Sequence, residues 1–166
     1  LRAWLVQNHC AGIPETLVQR LMHELPQARA ARWPLGPGQL RCHAGLLRFA
    51  ASAELPQAAP DATRQIDLSR IGRHELPDWG GAFEVRAVAS SGLSPLRLRH
   101  CELRARSGGE NFQRTTGSVP RSLKKQYQSH GLPAWQRDGP LVYVGNELLF
   151  VPGLGIDARR HADEGR

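Results

Sequence analysis

A chain of 166 residues with 40% hydrophobic content is long enough for one ordinary domain or two small ones, and apolar enough to build a core, which excludes a disordered tail. Lys and Arg outnumber Asp and Glu by 22 to 15, a formal charge of +7. No apolar run approaches the ~20 residues that a membrane span needs, so no membrane partner is expected.

All but Lys124 and Lys125 of the 22 cations are arginines. A guanidinium is a planar fork of donors that fits phosphate bidentately, so the surplus points to a polyanion, nucleic acid first. A GC-rich coding bias explains arginine in place of lysine but not the net excess. The three cysteines, Cys10, Cys42 and Cys101, are odd in number and widely spaced, which suggests no disulfide framework and fits a reducing cytoplasm. The chain has no signal-peptide pattern and begins at Leu1 in mid-pattern without Met, so a piece of a longer protein is expected.

In chain order, LRAWLVQNHC and PETLVQRLMHEL read as two helices joined by a short turn, with Leu17, Val18, Leu21, Met22 and Leu25 on one apolar face and Pro14 suited to a first turn. Arg29, Arg32, Trp33 and Pro34 form a basic segment, and GQLRCHAGLLRF reads as a hairpin around Cys42-His43-Ala44-Gly45. The Ala- and Pro-rich AASAELPQAAPDAT has no periodicity and marks a linker. Beyond it RQIDLSRI, AFEVRAVA and LRLRHCELRAR alternate at period two and read as strands. SVPRSLKKQYQSHG reads as a helix with Ser118 as cap, Pro120 in its first turn and Gly131 as its stop. LVYVGNELLFV reads as a hairpin across Gly145-Asn146. The resulting expectation is an α+β protein. Residues 1–50 form a small helical domain with a hairpin, 51–65 a linker, 66–157 a mostly antiparallel β domain with one main helix, and 158–166 a mobile tail.

Three chemistries could sit on these elements. Ser107-Gly108-Gly109 suggests a nucleotide phosphate loop, but the pyrophosphatase pattern needs an Asp and a second Ser where this chain has Asn111 and Phe112, so a glycine turn fits better. Cys42-His43 and His100-Cys101 lack zinc spacing, and strand neighbours face opposite sides, so no metal site is expected. No nucleophile elbow or paired carboxylates are present, so no catalytic residue is assigned. What remains is a basic cluster: Arg97, Arg99, Arg104 and Arg106 on one strand, Arg114 in the next loop, and Arg121, Lys124 and Lys125 on a shared helix face. With the Gly108-Gly109 amides and the Ser122 hydroxyl, these are the usual contacts to RNA phosphates.

The order of these pieces, LRARSGGENFQ followed by RSLKKQYQSHGLPAWQRDGPLVYVGNELLFVPGLGI, resembles the C-terminal domain of bacterial tRNA(Ile)-lysidine synthases. The N-terminal helices and hairpin resemble the helical substrate-recognition domain of the same family. The resemblance implies a ligase of the cytoplasm that uses ATP with Mg to activate the wobble cytidine of a tRNA(Ile) with anticodon CAU. Lysine then attacks to form lysidine, switching charging from methionine to isoleucine. It implies that the ATP and lysine sites belong to a catalytic domain outside this chain, which alone holds no cofactor and is expected to be inactive. Its tRNA-binding positions fall on Arg104, Arg106, Gly108, Gly109, Arg121, Ser122, Lys124, Lys125 and Arg137. Pro133, Trp135 and Arg137 carry the family's Pro-x-Trp-x-Arg pattern, with Trp135 read as a packing residue. Two alternatives stay open: a stand-alone RNA-binding or interaction module, and a homodimer formed through the apolar LVYV and LLFV strands.

Overall fold

In the first unit of the computed structural model, residues 1–55, Pro14 is extended and starts helix α2 (Glu15–Glu24) after helix α1 (Arg2–Gln7). The structure describes residues 1–8, 12–51 and 63–161. Cys10, most of the expected linker and residues 162–166 lie outside that set. Leu5 of α1 and Leu21 of α2 are fully buried against Trp33, Leu40 and Cys42, whereas Met22, read above as part of the same apolar face, is exposed.

The basic segment after α2 is a strand. β1 (Ala30–Leu35), β2 (Gly38–His43) and β3 (Leu46–Ala51) form an antiparallel sheet in that order, so the expected hairpin has a third member. Pro34 obscures β1 in the sequence, yet an edge strand tolerates a proline because one side of its ladder is unpaired. Trp33 and Leu35 alternate inward while Arg32 and Pro34 face out. The buried Trp33 indole donates to Glu24 Oε2 at 2.6 Å, which ties β1 to α2. Ala44 and Gly45 both have positive φ, 48° and 81°, as a tight two-residue hairpin turn requires. Gly38 faces the carbonyl of Ala50 and the ring of Phe49 so closely that any Cβ would collide with them.

The second unit, residues 56–166, is organised on a five-stranded antiparallel sheet of order β12 (Gly155–Ile156), β11 (Glu147–Val151), β10 (Leu141–Val144), β7 (Cys101–Arg104) and β4 (Arg64–Ile66). Helix α3 (Leu123–Ser129) packs Leu123 and Tyr127 on one face with Phe112, Leu141 and Leu148. The other face buries Leu103, Val142 and Leu149 with Leu76 and Phe83 of the hairpin β5 (Gly72–Leu76) and β6 (Gly81–Val85). A sheet covered on both faces explains the near-continuous apolar runs of β10 and β11. The strands that suggested a self-association surface are therefore interior.

Two expectations change here. LRLRH is not strand: Pro95 starts a turn in which Arg97 and Leu98 donate to the Ser94 and Pro95 carbonyls, leaving Arg97–His100 as a 3-10 helix before β7. The tail is anchored at its start. Asp157 is fully buried, accepts from the amides of Gln113 and Arg159 at 3.2 and 3.0 Å, and pairs with the Arg159 guanidinium, which fixes a 3-10 turn over Ala158–Arg160. The buried Cys101 thiol is pushed up to about 11, mainly by desolvation, so it behaves as a small hydrophobe.

The first unit should be destabilised by Gly38→Ala by about 1–3 kcal/mol, measured by thermal melting, because the added methyl meets backbone that cannot move aside. Asp157 contributes to the pH dependence of the second. Its burial opposes ionisation, but its bonds to Arg159 and Gln113 outweigh that and hold its pKa below the ordinary aspartate value. A lowered carboxyl pKa stabilises above the unfolded value of about 4 and that stability is lost as pH falls through the folded value. Melting curves between pH 7 and pH 2 should show this loss, and Asp157→Asn should flatten it while lowering stability at pH 7.

Candidate nucleic-acid interface

Helix α3 starts four residues later than the sequence suggests. The Ser118 amide and hydroxyl both bond to the Thr115 carbonyl and close a separate turn. Pro120 then keeps the chain extended, and Arg121 and Ser122 form β9, paired with β8 (Asn111–Phe112). The true cap is Ser122, whose hydroxyl accepts from the Lys125 amide at 3.5 Å. Arg121 is thus on a strand, yet it still meets Lys125. Asn111, Pro120, Arg121, Ser122 and Lys125 line a polar depression of about 500 Å³. Lys124 and Arg114 are exposed nearby in sequence, and neither they nor Arg121 and Lys125 form an ion pair among the described residues.

The Ser107-Gly108-Gly109 turn has positive φ at both glycines, 92° and 84°. The Ser107 and Gly108 amides do not face outward as expected. The carboxylate of Glu110 accepts from the Ser107 amide at 2.7 Å, the Gly108 amide at 2.9 Å and the Ser107 hydroxyl at 3.3 Å, all at one oxygen. Burial opposes the charge on Glu110, but the amide donors win and its pKa sits below the usual glutamate value. An acid of the chain itself fills the concavity where a nucleotide phosphate would lie.

The arginines divide into two groups. Arg104 is half-buried, pairs with Glu102, donates to the Gly145 carbonyl at 2.6 Å and lies 4.4 Å from the centre of the Tyr143 ring. Arg137 donates through Nε to the Leu132 carbonyl at 2.8 Å and packs 5.2 Å from the Tyr127 ring. Arg97 is drawn to Glu147, which also takes Arg160. These three hold the fold together. Arg106 differs: it is exposed, has no acidic partner among the described residues, and rests 5.4 Å from the centre of the buried Tyr127 ring. Arg104 and Arg106 do not share a strand face, because β7 ends at Arg104.

Of the expected positions, the structure gathers Arg121, Ser122 and Lys125, leaves Lys124 exposed on the same helix, sets Arg106 against that helix through Tyr127, and turns Arg104 and Arg137 inward. Trp135 is half-buried in a 3-10 turn and lies outside the core clusters. Asn111 and Glu110 were missed as participants. The signal for Glu110 was present: a carboxylate directly after two glycines can fold back onto their amides.

Residues 101–166 match the family described as the TilS substrate C-terminal domain. Over 97% of its length the chain is 34% identical to the tRNA(Ile)-lysidine synthase of Burkholderia pseudomallei strain K96243, covering 40% of that protein. It is 33% identical to the enzyme of that name from Ralstonia nicotianae, over 95% of this chain and 36% of the relative. Over 71% of this chain and 26% of the relative, it is 42% identical to that of Coxiella burnetii. The chain thus spans about two fifths or less of the length of these relatives. The matched segment begins at β7 and takes in the polar depression, the Glu110 turn and α3, and over nearly its whole length the chain is similar to part of the tRNA(Ile)-lysidine synthases.

Proposed function

We propose that this chain is the tRNA-recognition portion of a tRNA(Ile)-lysidine synthase, holding tRNA(Ile) while a catalytic domain elsewhere in the protein joins lysine to the wobble cytidine at the expense of ATP. The observation that carries this reading is the separation of charges in the second unit. Arg64, Arg73, Arg86, Arg97, Arg104, Arg159 and Arg160 are paired with acids. Arg106, Arg114, Arg121, Lys124 and Lys125 are left unpaired among the described residues, within one segment of the family domain.

Such a patch binds sugar-phosphate backbone, with Ser122 and Asn111 as neutral donors in the same depression. Residues 66–157 serve as the tRNA-binding part and residues 1–50 as the helical substrate-recognition part. The chain by itself carries out no ligation, and ATP, Mg and lysine act at the catalytic domain. A nucleotide site at Ser107-Gly108-Gly109 loses its support, since Glu110 occupies two of its amides.

Titration of the chain with tRNA should give binding that weakens on the order of 10²-fold to 10³-fold between 50 and 200 mM salt if five cations each meet a phosphate. No binding at low salt overturns the proposal. Arg121→Ala and Lys125→Ala should each lower the salt slope by about one while leaving Tm unchanged. Arg104→Ala and Arg137→Ala should behave in the opposite way: loss of a carbonyl contact and a packed guanidinium costs about 1–2 kcal/mol, read as a Tm several degrees lower.

A further inference from the structure

We propose that Glu110 is a positioning residue of the interface: its carboxylate gathers the turn after β7 and so fixes Arg106 beside α3, an inference that rests on the RNA-binding reading above. Among the described residues, Ser107, Gly108 and Gly109 make no backbone-to-backbone hydrogen bond with one another or with the rest of the chain. Two consecutive glycines in positive φ would leave such a turn mobile, because glycine gives up more backbone freedom on ordering than any other residue. What closes the turn is a single oxygen of Glu110, which collects two amides and a hydroxyl. The Asn111 side chain adds a bond to the Gly109 carbonyl at 3.3 Å.

The same glutamate reaches the helix. Its backbone carbonyl accepts from the amide of Leu123, the first residue of α3, at 3.1 Å. Glu110 therefore joins the residue after Arg106 to the helix that carries Lys124, Lys125 and Tyr127, and Tyr127 is the surface on which the Arg106 guanidinium rests. An exposed arginine next to an unclosed glycine turn would sample many positions. With the turn closed, it is confined near the other cations, and less conformational freedom remains to be lost when a phosphate arrives.

The same contacts admit an opposite role, in which Glu110 stands in for a phosphate that displaces it. Displacement would set a half-buried carboxylate loose beside an incoming phosphate and free three donors for the gain of one anion, so positioning is the reading the geometry favours. The two differ in sign.

The test is titration of the 166-residue chain with tRNA at two salt concentrations, for the wild type, Arg106→Ala, Glu110→Ala, Glu110→Gln and the double variant Arg106→Ala/Glu110→Ala, each with a melting curve. Positioning predicts that Glu110→Ala weakens binding about as much as Arg106→Ala and lowers the salt slope by about one. The double variant should then be no weaker than Arg106→Ala, since the two losses are the same loss. Glu110→Gln should recover most of the affinity, because its amide oxygen still accepts from the turn. A general loss of structure would instead lower Tm and weaken binding well beyond the loss seen for Arg106→Ala. Tighter binding by Glu110→Gln or Glu110→Ala, unchanged binding, or effects that multiply with Arg106→Ala would each overturn the inference. If the wild type binds while the Glu110 variants match it, only this inference falls. If the wild type does not bind at low salt, the RNA reading falls and takes the inference with it.

Discussion

Tyr127 is where the core of the second unit meets its surface charge. The ring is fully buried with Phe112, Leu141 and Leu148, and its hydroxyl donates to the Pro152 carbonyl at 3.0 Å. A seven-residue helix is far too short to persist on its own in water, so α3 exists because Leu123 and Tyr127 anchor it to the sheet. Everything that α3 presents depends on that anchor: the Ser122 cap, Lys124 and Lys125, and the seat for Arg106. Burial pushes the Tyr127 phenol up, opposed by the charges of Arg106 and Arg137 near its ring. The ring stays neutral and offers the negative face of its π-system to both guanidinium groups.

Around this anchor, acids are distributed so as to leave the segment from Arg106 to Lys125 without ion pairs among the described residues. Exposed ion pairs such as Arg73–Glu75 and Arg86–Glu84 contribute little stability, because water and salt screen them. Their larger consequence is where charge is cancelled. Glu102, Glu147 and Asp157 neutralise the arginines nearest them, and Glu110 is turned onto backbone amides, so no acid opposes Arg106, Arg114, Arg121, Lys124 or Lys125 among the described residues. Like charges gathered in this way repel, and they cost least when exposed to salt and water. That exposure also leaves them available to phosphates.

Much of the fold was legible because the strands and helices carry the periodicities of their burial. The Gly145-Asn146 hairpin, α2 and the α+β class follow from pattern alone. What the pattern hid has specific causes. β1 is masked by Pro34, which only its edge position permits. The 3-10 turn at Arg97–His100 keeps an alternating sequence but is set by Pro95. The start of α3 was misplaced because Ser118 and Ser122 are both plausible caps, and only the pairing of Arg121 with Phe112 decides between them. In the site, the directions of the cations are not legible in the sequence, since a cation's partner is a matter of three-dimensional distance.

Part of that direction is nevertheless written in the sequence. Residues two apart on an extended segment share a face, and Arg73, Arg86 and Arg104 each pair with an acid two positions away, while Arg159 reaches Asp157 at the same spacing across a 3-10 turn. Arg106, Arg114 and Arg121 have no acid at either such position, nor does Lys124 or Lys125. Local spacing therefore separates many of the arginines that brace the structure from those that face solvent. Arg64, Arg97, Arg137 and Arg160 escape it because Asp78, Glu147 and the Leu132 carbonyl reach them through the fold. The cations that pass both filters, no acid at spacing two and no partner in space, include the five that the Glu110 turn and α3 bring into one segment. A patch built this way keeps its charge open to solvent, because the chain has already used its own acids elsewhere.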